Sequence, residues 1–210
     1  TLGALPAARA FAARRARRED AAAARLAMAV RLLPEGCARL DLPALGRDAV
    51  AVDVMGALLR VVGASRYPPA EAAIRALLER GHGSLAGAVL LRGGRWLVRE
   101  AAALGRPVPA RLGAVWDGRW RLRAVHGEEF MLGALGRGRL RDLAPGWPAA
   151  VVAALPALWR QGVPALVPHL CYPSAEACAK VALDFMPASG PAAPQAIGPS
   201  AIQAARGHPI

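Results

Sequence analysis

The sequence is poor in lysine and in acidic residues. Lys180 is its one lysine among 27 basic residues, the other 26 being arginine, and only 15 residues are acidic, so 210 residues carry a formal charge of +12. A GC-rich genome favours arginine codons over lysine codons, but it does not disfavour Asp and Glu codons. The shortage of acidic residues therefore needs its own explanation, and it indicates an anionic partner.

Long hydrophobic runs are also absent. The two longest uncharged stretches, 143–159 and 185–205, contain several prolines each. We therefore expect neither stretch to form a membrane-spanning helix. The chain opens with an Arg-rich segment instead of a signal peptide, and it begins at Thr1, which is consistent with a missing N-terminal part. The apolar content of 55% is ample for a folded core.

Motifs for catalysis or metal binding are lacking as well. The sequence has no phosphate-cradling loop and no serine in a nucleophile elbow. The three cysteines are odd in number and form no CxxC pair, so we expect a reducing, cytoplasmic setting. His169 with Cys171 and Cys178 is the one conceivable metal cluster, but its spacing fits no common zinc pattern, and ordinary packing is the preferred interpretation. We predict no catalytic residue, no metal and no cofactor in this chain.

The first part of the chain has the apolar spacing of helices. Helices are predicted at 7–33, 48–63 and 69–81, with a short extended piece at 37–42. Pro69 and Gly81 lie where a helix start and a helix end favour these residues.

Beyond residue 82 the apolar residues alternate, which is typical of strands. Gly93 and Gly94 predict a two-residue hairpin turn, and 115–125 reads as one strand. A short helix interrupted at Pro156 and an apolar strand at 163–172 are expected further on. We therefore predict an α+β fold: a helical N-terminal part, then a small, mainly antiparallel β part with short helices, and a flexible tail (188–210).

The predicted strand at 115–125 carries a basic face. Alternation along a strand would place Arg119, Arg121 and Arg123 on one side, next to Trp116 and Trp120. Arginines hold phosphates by charge and hydrogen bonds, and an aromatic ring offers a stacking plane for a base. These five residues are candidate RNA contacts. The alternative is a half-buried strand whose outer face is arginine because this genome uses arginine at any basic position.

The first helix carries a second basic cluster, Arg14, Arg15, Arg17 and Arg18. It fits an RNA-facing helix, a merely solvated one, or one bound to a membrane surface. A helix that binds lipid usually has bulky apolar residues opposite its charges, whereas this one has mostly alanine, so we favour RNA.

The order of short motifs along the chain resembles the C-terminal half of bacterial tRNA(Ile)-lysidine synthetases, in the alphaproteobacterial form. The resemblance runs from about residue 10 to about residue 187, with Ala88 as a departure where that family often has Cys. The motifs that carry it are Leu33-Pro34-Glu35-Gly36, Leu40-Asp41, the helix 50–62 with Gly63, Tyr67-Pro68-Pro69, Ser84-Leu85-Ala86-Gly87, Val98-Arg99-Glu100, Val115-Trp116-Asp117-Gly118-Arg119-Trp120, Leu155-Pro156-Ala157-Leu158-Trp159 and Val167-Pro168-His169-Leu170.

The resemblance implies a function for the region. The family uses ATP, with magnesium, to join lysine to the wobble cytidine of an isoleucine tRNA, in an N-terminal domain whose Ser-Gly-Gly-x-Asp-Ser loop holds the nucleotide. This chain has no such loop, so we expect a part that is inactive alone and that helps to grip the tRNA. The resemblance implies two domains in it, a helical middle (substrate-binding) domain (1–82) and a β-rich C-terminal tRNA-binding domain (83–187). Its expected partners are an isoleucine tRNA, the catalytic domain if the two are split, and a second copy in a homodimer, with no membrane.

Two other hypotheses remain open from the sequence. The chain could be a free-standing basic module that binds nucleic acid or a protein without any catalytic partner. It could also be a packing domain whose charge is incidental.

Overall fold

The structure, a computed structural model, describes residues 4–125, 129–138 and 140–187. The predicted tail at 188–210 lies outside these ranges. The described α-helices are α1 (Ala4–Ala29), α2 (Leu42–Leu45), α3 (Ala49–Gly63), α4 (Glu71–Arg80), α5 (Ala149–Ala154) and α6 (Ala175–Ala179).

Short antiparallel strands make up the rest of the regular structure. They are β1 (Val30–Leu32), β2 (Ala38–Leu40), β3 (Gly83–Leu85), β4 (Ala88–Leu90), β5 (Trp96–Arg99), β6 (Val108–Pro109), β7 (Val115–Trp116), β8 (Trp120–Val125), β9 (Met131–Ala134), β10 (Pro156–Arg160), β11 (Val163–Leu166) and β12 (Val181–Phe185). Three sheets result, in the orders β1-β2-β5-β4-β3, β11-β10-β9-β6 and β12-β8-β7. The predicted α+β class is confirmed.

Helix α1 packs only through its C-terminal half. Ala22, Leu26 and Ala29 recur at helical spacing and join the core under the five-stranded sheet, whereas 8–21 is exposed throughout. The predicted helix at 7–33 ends early, because Val30–Leu32 leaves the helix to pair with Ala38–Leu40. The predicted extended piece at 37–42 is confirmed as β2.

Helices α3 and α4 follow the predicted boundaries. Asp48 caps α3 by accepting a hydrogen bond from the Ala51 amide at 2.8 Å. Gly81 ends α4 with φ of 67°, in the left-handed region that favours glycine. At the end of α3, however, Ala64 takes the left-handed conformation, and Gly63 is the last helical residue.

The five-stranded sheet joins the two sides of residue 82. Ala38 and Arg39 of β2 lie opposite Leu97 and Trp96 of β5, so strands from the first 40 residues pair with strands from 83–99. Helix α3 covers one face of this sheet. The division of the chain into domains at residue 82 stays a prediction, and this sheet crosses it.

The glycine pair forms a hairpin, with a longer loop than predicted. Gly93 and Gly94 have φ of 89° and 66°. The Leu91 amide donates to the Trp96 carbonyl at 2.9 Å, so the loop inside this last hydrogen-bonded pair has four residues, 92–95, and not two.

The C-terminal segment differs from the prediction at three places. The predicted helix at 149–159 is α5 followed by β10, since Pro156 cannot continue a helical hydrogen-bond ladder. The predicted strand at 163–172 is β11 followed by a 3-10 helix at 168–170. Strand β12 was not predicted at all. Within the described ranges, no helix is both long and apolar enough to cross a membrane.

Candidate nucleic-acid interface

The predicted strand at 115–125 is a hairpin. Asp117 and Gly118 have φ of 54° and 63°, and the Arg119 amide donates to the Trp116 carbonyl at 3.1 Å. Two successive residues with positive φ are the geometry for which Asp-Gly is favoured in hairpins. The turn separates β7 from β8, so the strand alternation begins only at Trp120.

Both tryptophans of this hairpin face the interior. Trp116 lies opposite Trp120 in the β7–β8 register, and their exposed fractions are 0% and 1%. The Trp116 indole donates to the Gly105 carbonyl at 3.1 Å. The expectation that either ring offers a stacking plane to RNA is therefore wrong for this structure, because each ring is already covered by the core.

Arg119 is also buried, and it does not share a face with Arg121 and Arg123. Its side chain is 1% exposed and belongs to the turn that precedes β8. Its Nη1 donates to the carbonyls of Gly36 at 3.0 Å and Val62 at 3.1 Å. The predicted exposed row of three arginines is wrong at this position, since the Arg119 guanidinium is used inside the protein.

Asp117 lies between two buried arginines. It accepts Arg99 in a bidentate pair, at 2.9 and 2.7 Å, and Arg119 Nε at 2.9 Å. The Gly105 amide also donates to it, at 2.9 Å. We call Arg99, Asp117 and Arg119 the buried arginine cluster. Arg99 thus forms its ion pair with Asp117, which lies 18 residues further along the chain.

The cluster shifts the ionisation of its own members. Burial alone would raise the pKa of Asp117, but the hydrogen bonds and charges of Arg99 and Arg119 outweigh it and hold the pKa below its usual value. Burial lowers the pKa of Arg119 to about 10, with Asp117 opposing that effect. Arg119 thus stays charged at neutral pH, next to the Asp117 carboxylate.

Carbonyl groups from several elements complete the cluster. Arg99 donates to the carbonyls of Gly63, Gly87 and Ala103. The carbonyls of Val62 and Gly63 lie at the end of α3, where helical carbonyls lack partners and the helix dipole favours a positive charge. Arg99 and Arg119 therefore cap the C-terminal end of α3, although neither is close to it in the sequence.

The motifs that carry the family resemblance meet at this place. Gly36 contacts Arg119, and the ring of His169 lies within 3.2 Å of the Pro34 carbonyl and 5.1 Å of the Trp120 ring. Burial lowers the pKa of His169, and the Glu35 carboxylate opposes this effect. Residues far apart in the sequence thus share one buried junction.

The residues of the conceivable metal cluster are engaged in packing contacts. Cys178 Sγ lies 3.2 Å from the Tyr172 carbonyl, and burial raises the pKa of its thiol to about 11. Within the described ranges no group of three or more His, Cys, Asp and Glu side chains could hold a metal ion.

Arg121 and Arg123 are exposed on one face of β8, as predicted. Their neighbours Trp120 and Leu122 point to the core. Arg123 forms an ion pair with Asp184 at 3.3 Å. Arg121 lies opposite Asp184 and Val115 in the two registers. No hydrogen-bond or ion-pair partner of Arg121 lies in the described part of the chain, so its guanidinium is available to an anion.

The arginine cluster of α1 is exposed but only partly free. Arg15 pairs with Glu19 at 2.7 Å, and Arg18 pairs with Asp53 of α3. Arg14 and Arg17 have no such partner among the described residues. Helix α1 contacts α2, α3 and β1, whereas β8 contacts β7 and β12, so the two predicted contact regions lie on separate elements.

Comparison with known proteins gives one informative relative. The chain is 32% identical over 123 residues to the tRNA(Ile)-lysidine synthase of Ruegeria pomeroyi, and the matched region covers 53% of this chain. It spans only 29% of the length of that relative. No protein-family model and no solved structure matches the chain. The similarity confirms that this chain resembles part of a tRNA(Ile)-lysidine synthase, as the order of its motifs predicted.

Proposed function

We propose that this chain is the tRNA-binding and positioning region of a tRNA(Ile)-lysidine synthetase. The observation that carries the proposal is the 32% identity to a tRNA(Ile)-lysidine synthase over 123 residues. In this proposal the parent enzyme supplies the chemistry with ATP, magnesium and lysine, from a catalytic domain that lies on the same or a separate polypeptide. The similarity does not favour a free-standing module.

The surface charge supports a role in holding tRNA. Arg14, Arg17 and Arg121 are exposed and have no acidic partner among the described residues, within a chain of net charge +12. Such groups bind the phosphate backbone and fix the orientation of the nucleic acid without reading its sequence. A positioning region needs this property, because the role proposed for it is to orient the bound tRNA.

The buried arginine cluster supports the same role indirectly. Asp117 ties the β7–β8 hairpin to the end of α3 and to the β3–β4 turn through Arg99 and Arg119. Strand β8 is thereby fixed relative to the helices, and so is the direction in which Arg121 and Arg123 point. A rigid surface loses less entropy when it binds than a mobile one.

Binding of tRNA by the purified chain tests the proposal. We expect an affinity for isoleucine tRNA, measured by fluorescence anisotropy, that falls linearly with salt on logarithmic axes. Arg121→Gln should lower that slope by about 1, the value expected for one phosphate contact. The matched control is Arg75→Gln, which removes the same charge from α4 at a residue already paired with Glu71. An absence of tRNA binding by the wild-type chain would contradict the proposal.

The chain alone should not modify tRNA. Without a phosphate-cradling loop it is expected to release no pyrophosphate from ATP, and lysidine should form only when a polypeptide with the catalytic domain is added. ATP-dependent lysidine formation by the isolated chain would contradict the proposal that a separate catalytic domain supplies the chemistry.

A further inference from the structure

Two arginines lie directly opposite one another on the outer face of the five-stranded sheet. Arg31 of β1 pairs in register with Arg39 of β2, and both side chains are exposed. Like charges at directly opposed positions destabilise a sheet. The Asp41 amide donates to the Ala29 carbonyl and the Leu33 amide to the Cys37 carbonyl, which places Arg31 and Arg39 at a hydrogen-bonded pair with Cα atoms about 5.5 Å apart.

No acidic side chain neutralises this pair within the described residues. Of the 15 acidic residues, only Glu128 lies outside the described ranges. Asp41 lines the same shallow depression, of about 310 Å³, as Arg31 and Arg39. Its carboxylate, however, already accepts the Ala44 amide at 3.1 Å as the cap of α2. Arg31 and Arg39 thus have no ion-pair partner among the described residues, and the Asp41 carboxylate is an acidic group that lines the same open depression.

Aromatic rings hold one of these arginines in place. The Arg39 guanidinium lies over the Trp96 ring, 5.4 Å from its centroid. The Trp96 ring in turn contacts Trp147, with centroids 5.2 Å apart and an interplanar angle of 53°. A guanidinium stacked on a ring keeps its N–H edge free for hydrogen bonds and loses little entropy on binding.

Helix α5 covers only the part of this sheet face that lies beside the two arginines. Val151 of α5 packs with Leu33, Cys37 and Val98 on one half of the face, and Trp96 lies at the border of that cluster. Arg31 and Arg39 occupy the other half, which the described residues leave exposed. On this side of the sheet Arg31 lies next to Arg39, and Arg39 lies next to the Trp96–Trp147 pair.

We propose that Arg31, Arg39 and the Trp96–Trp147 pair form a phosphate-binding site for the tRNA backbone. This inference rests on the proposed function and adds a contact surface that the sequence motifs do not indicate. A phosphate accepts hydrogen bonds from guanidinium groups in the fixed fork geometry of arginine, and two opposed arginines offer two such forks. An acidic protein segment would satisfy the charges equally, but the similarity of this chain to a tRNA(Ile)-lysidine synthase favours tRNA.

The test compares two double variants in the full chain. Arg31→Gln/Arg39→Gln should lower the slope of log affinity for tRNA against log salt by about 2, one for each phosphate contact. The control, Arg75→Gln/Arg80→Gln, removes the same charge from α4, which contacts β3 at the opposite edge of the sheet, and should leave the slope unchanged. Arg31→Lys/Arg39→Lys keeps the charge and should retain most of the slope. Circular dichroism confirms that each variant is folded.

The outcomes separate this inference from the proposed function. If the wild-type chain binds tRNA and the two Gln variants have equal slopes, the site is wrong and the proposed function stands. If the wild-type chain does not bind tRNA, both are overturned. If polyglutamate of equal charge binds as tightly as tRNA and the Arg31→Gln/Arg39→Gln variant loses both equally, the surface binds polyanions in general, and the assignment to RNA is overturned.

Discussion

At the scale of single residues, the buried arginine cluster is an excess of charge inside the protein. Its two arginines and one carboxylate leave a net positive charge, with side chains that are 1% to 8% exposed. Burying such a charge is costly unless hydrogen bonds replace its hydration. Five carbonyl groups do so here, two of them at the end of α3.

Removal of the carboxylate should destabilise the protein strongly. Asp117→Asn leaves Arg99 and Arg119 buried with no opposite charge, so we expect a loss of about 3–5 kcal/mol in the free energy of unfolding, measured with urea. Asp184→Asn is the control, because it breaks the exposed pair with Arg123 and should cost less than about 1 kcal/mol. Equal losses in the two variants would contradict a central role for Asp117.

The same carboxylate should contribute to acid unfolding. The folded pKa of Asp117 lies below the ordinary value of 3.8, so its contribution is complete above that value and is lost as the pH falls through the folded pKa. The difference in unfolding free energy between wild type and Asp117→Asn should therefore be constant from pH 7 to about pH 5 and shrink below about pH 4. A difference that stays constant down to pH 2 would show that the loss is not electrostatic.

Residue roles in the hairpin were only partly predictable from the sequence. Alternation correctly predicts that Arg121 and Arg123 are exposed, because they lie inside β8. It fails at Arg119, since Asp117 and Gly118 take positive φ and interrupt the strand just before it. The Asp-Gly pair was the available signal for that turn. The partners of Arg99 and Arg119 come from residues up to 83 positions away, which no local pattern encodes.

At the scale of elements, the end of α3 depends on a close approach. A Cβ atom at Gly63 would overlap the carbonyl oxygen of Ala86, in the turn between β3 and β4. The sequence correctly indicates that α3 ends near Gly63. Ala64 carries the left-handed conformation there, and Gly63 is needed for packing against Ala86.

Two glycines of the same helix allow a matched test. Gly63→Ala forces the β3–β4 turn away from α3, whereas at Gly56 a new Cβ would lie 3.3 Å from the flexible end of Ile74. Gly56→Ala gains about 1 kcal/mol of helix propensity inside α3, whereas Gly63→Ala gains less because Gly63 is the last helical residue. We expect Gly63→Ala to be less stable than Gly56→Ala by about 1–3 kcal/mol in thermal or urea unfolding. Equal stabilities would show that the turn moves without cost.

The predictable elements were those whose ends are marked by capping residues in their own sequence. Helices α3 and α4 have capping residues and regular apolar spacing, and their boundaries agree with the prediction. Strands β1 and β10 were predicted as helix, but β1 is extended by pairing with β2, and β10 by pairing with β9. Strand β12 is defined by its register with β8, which is information that the segment itself does not contain.

At the scale of the whole molecule, the distribution of charge matters more than its total. Ion pairs on α1 engage Arg15 and Arg18, and the buried arginine cluster uses Arg99 and Arg119 inside the fold. These arginines contribute to the +12 but are already partnered. Only arginines without an acidic partner can release counterions from a nucleic acid at full effect.

The first helix offers a test of that distinction. Arg14→Gln/Arg17→Gln and Arg15→Gln/Arg18→Gln remove the same formal charge from neighbouring positions of α1, so long-range attraction to tRNA falls equally in both. If the free arginines contact phosphates, the first pair should lower the salt slope of tRNA binding by about 2, and the second pair by clearly less. Equal slopes in the two variants would mean that α1 acts only through net charge and does not contact the tRNA directly.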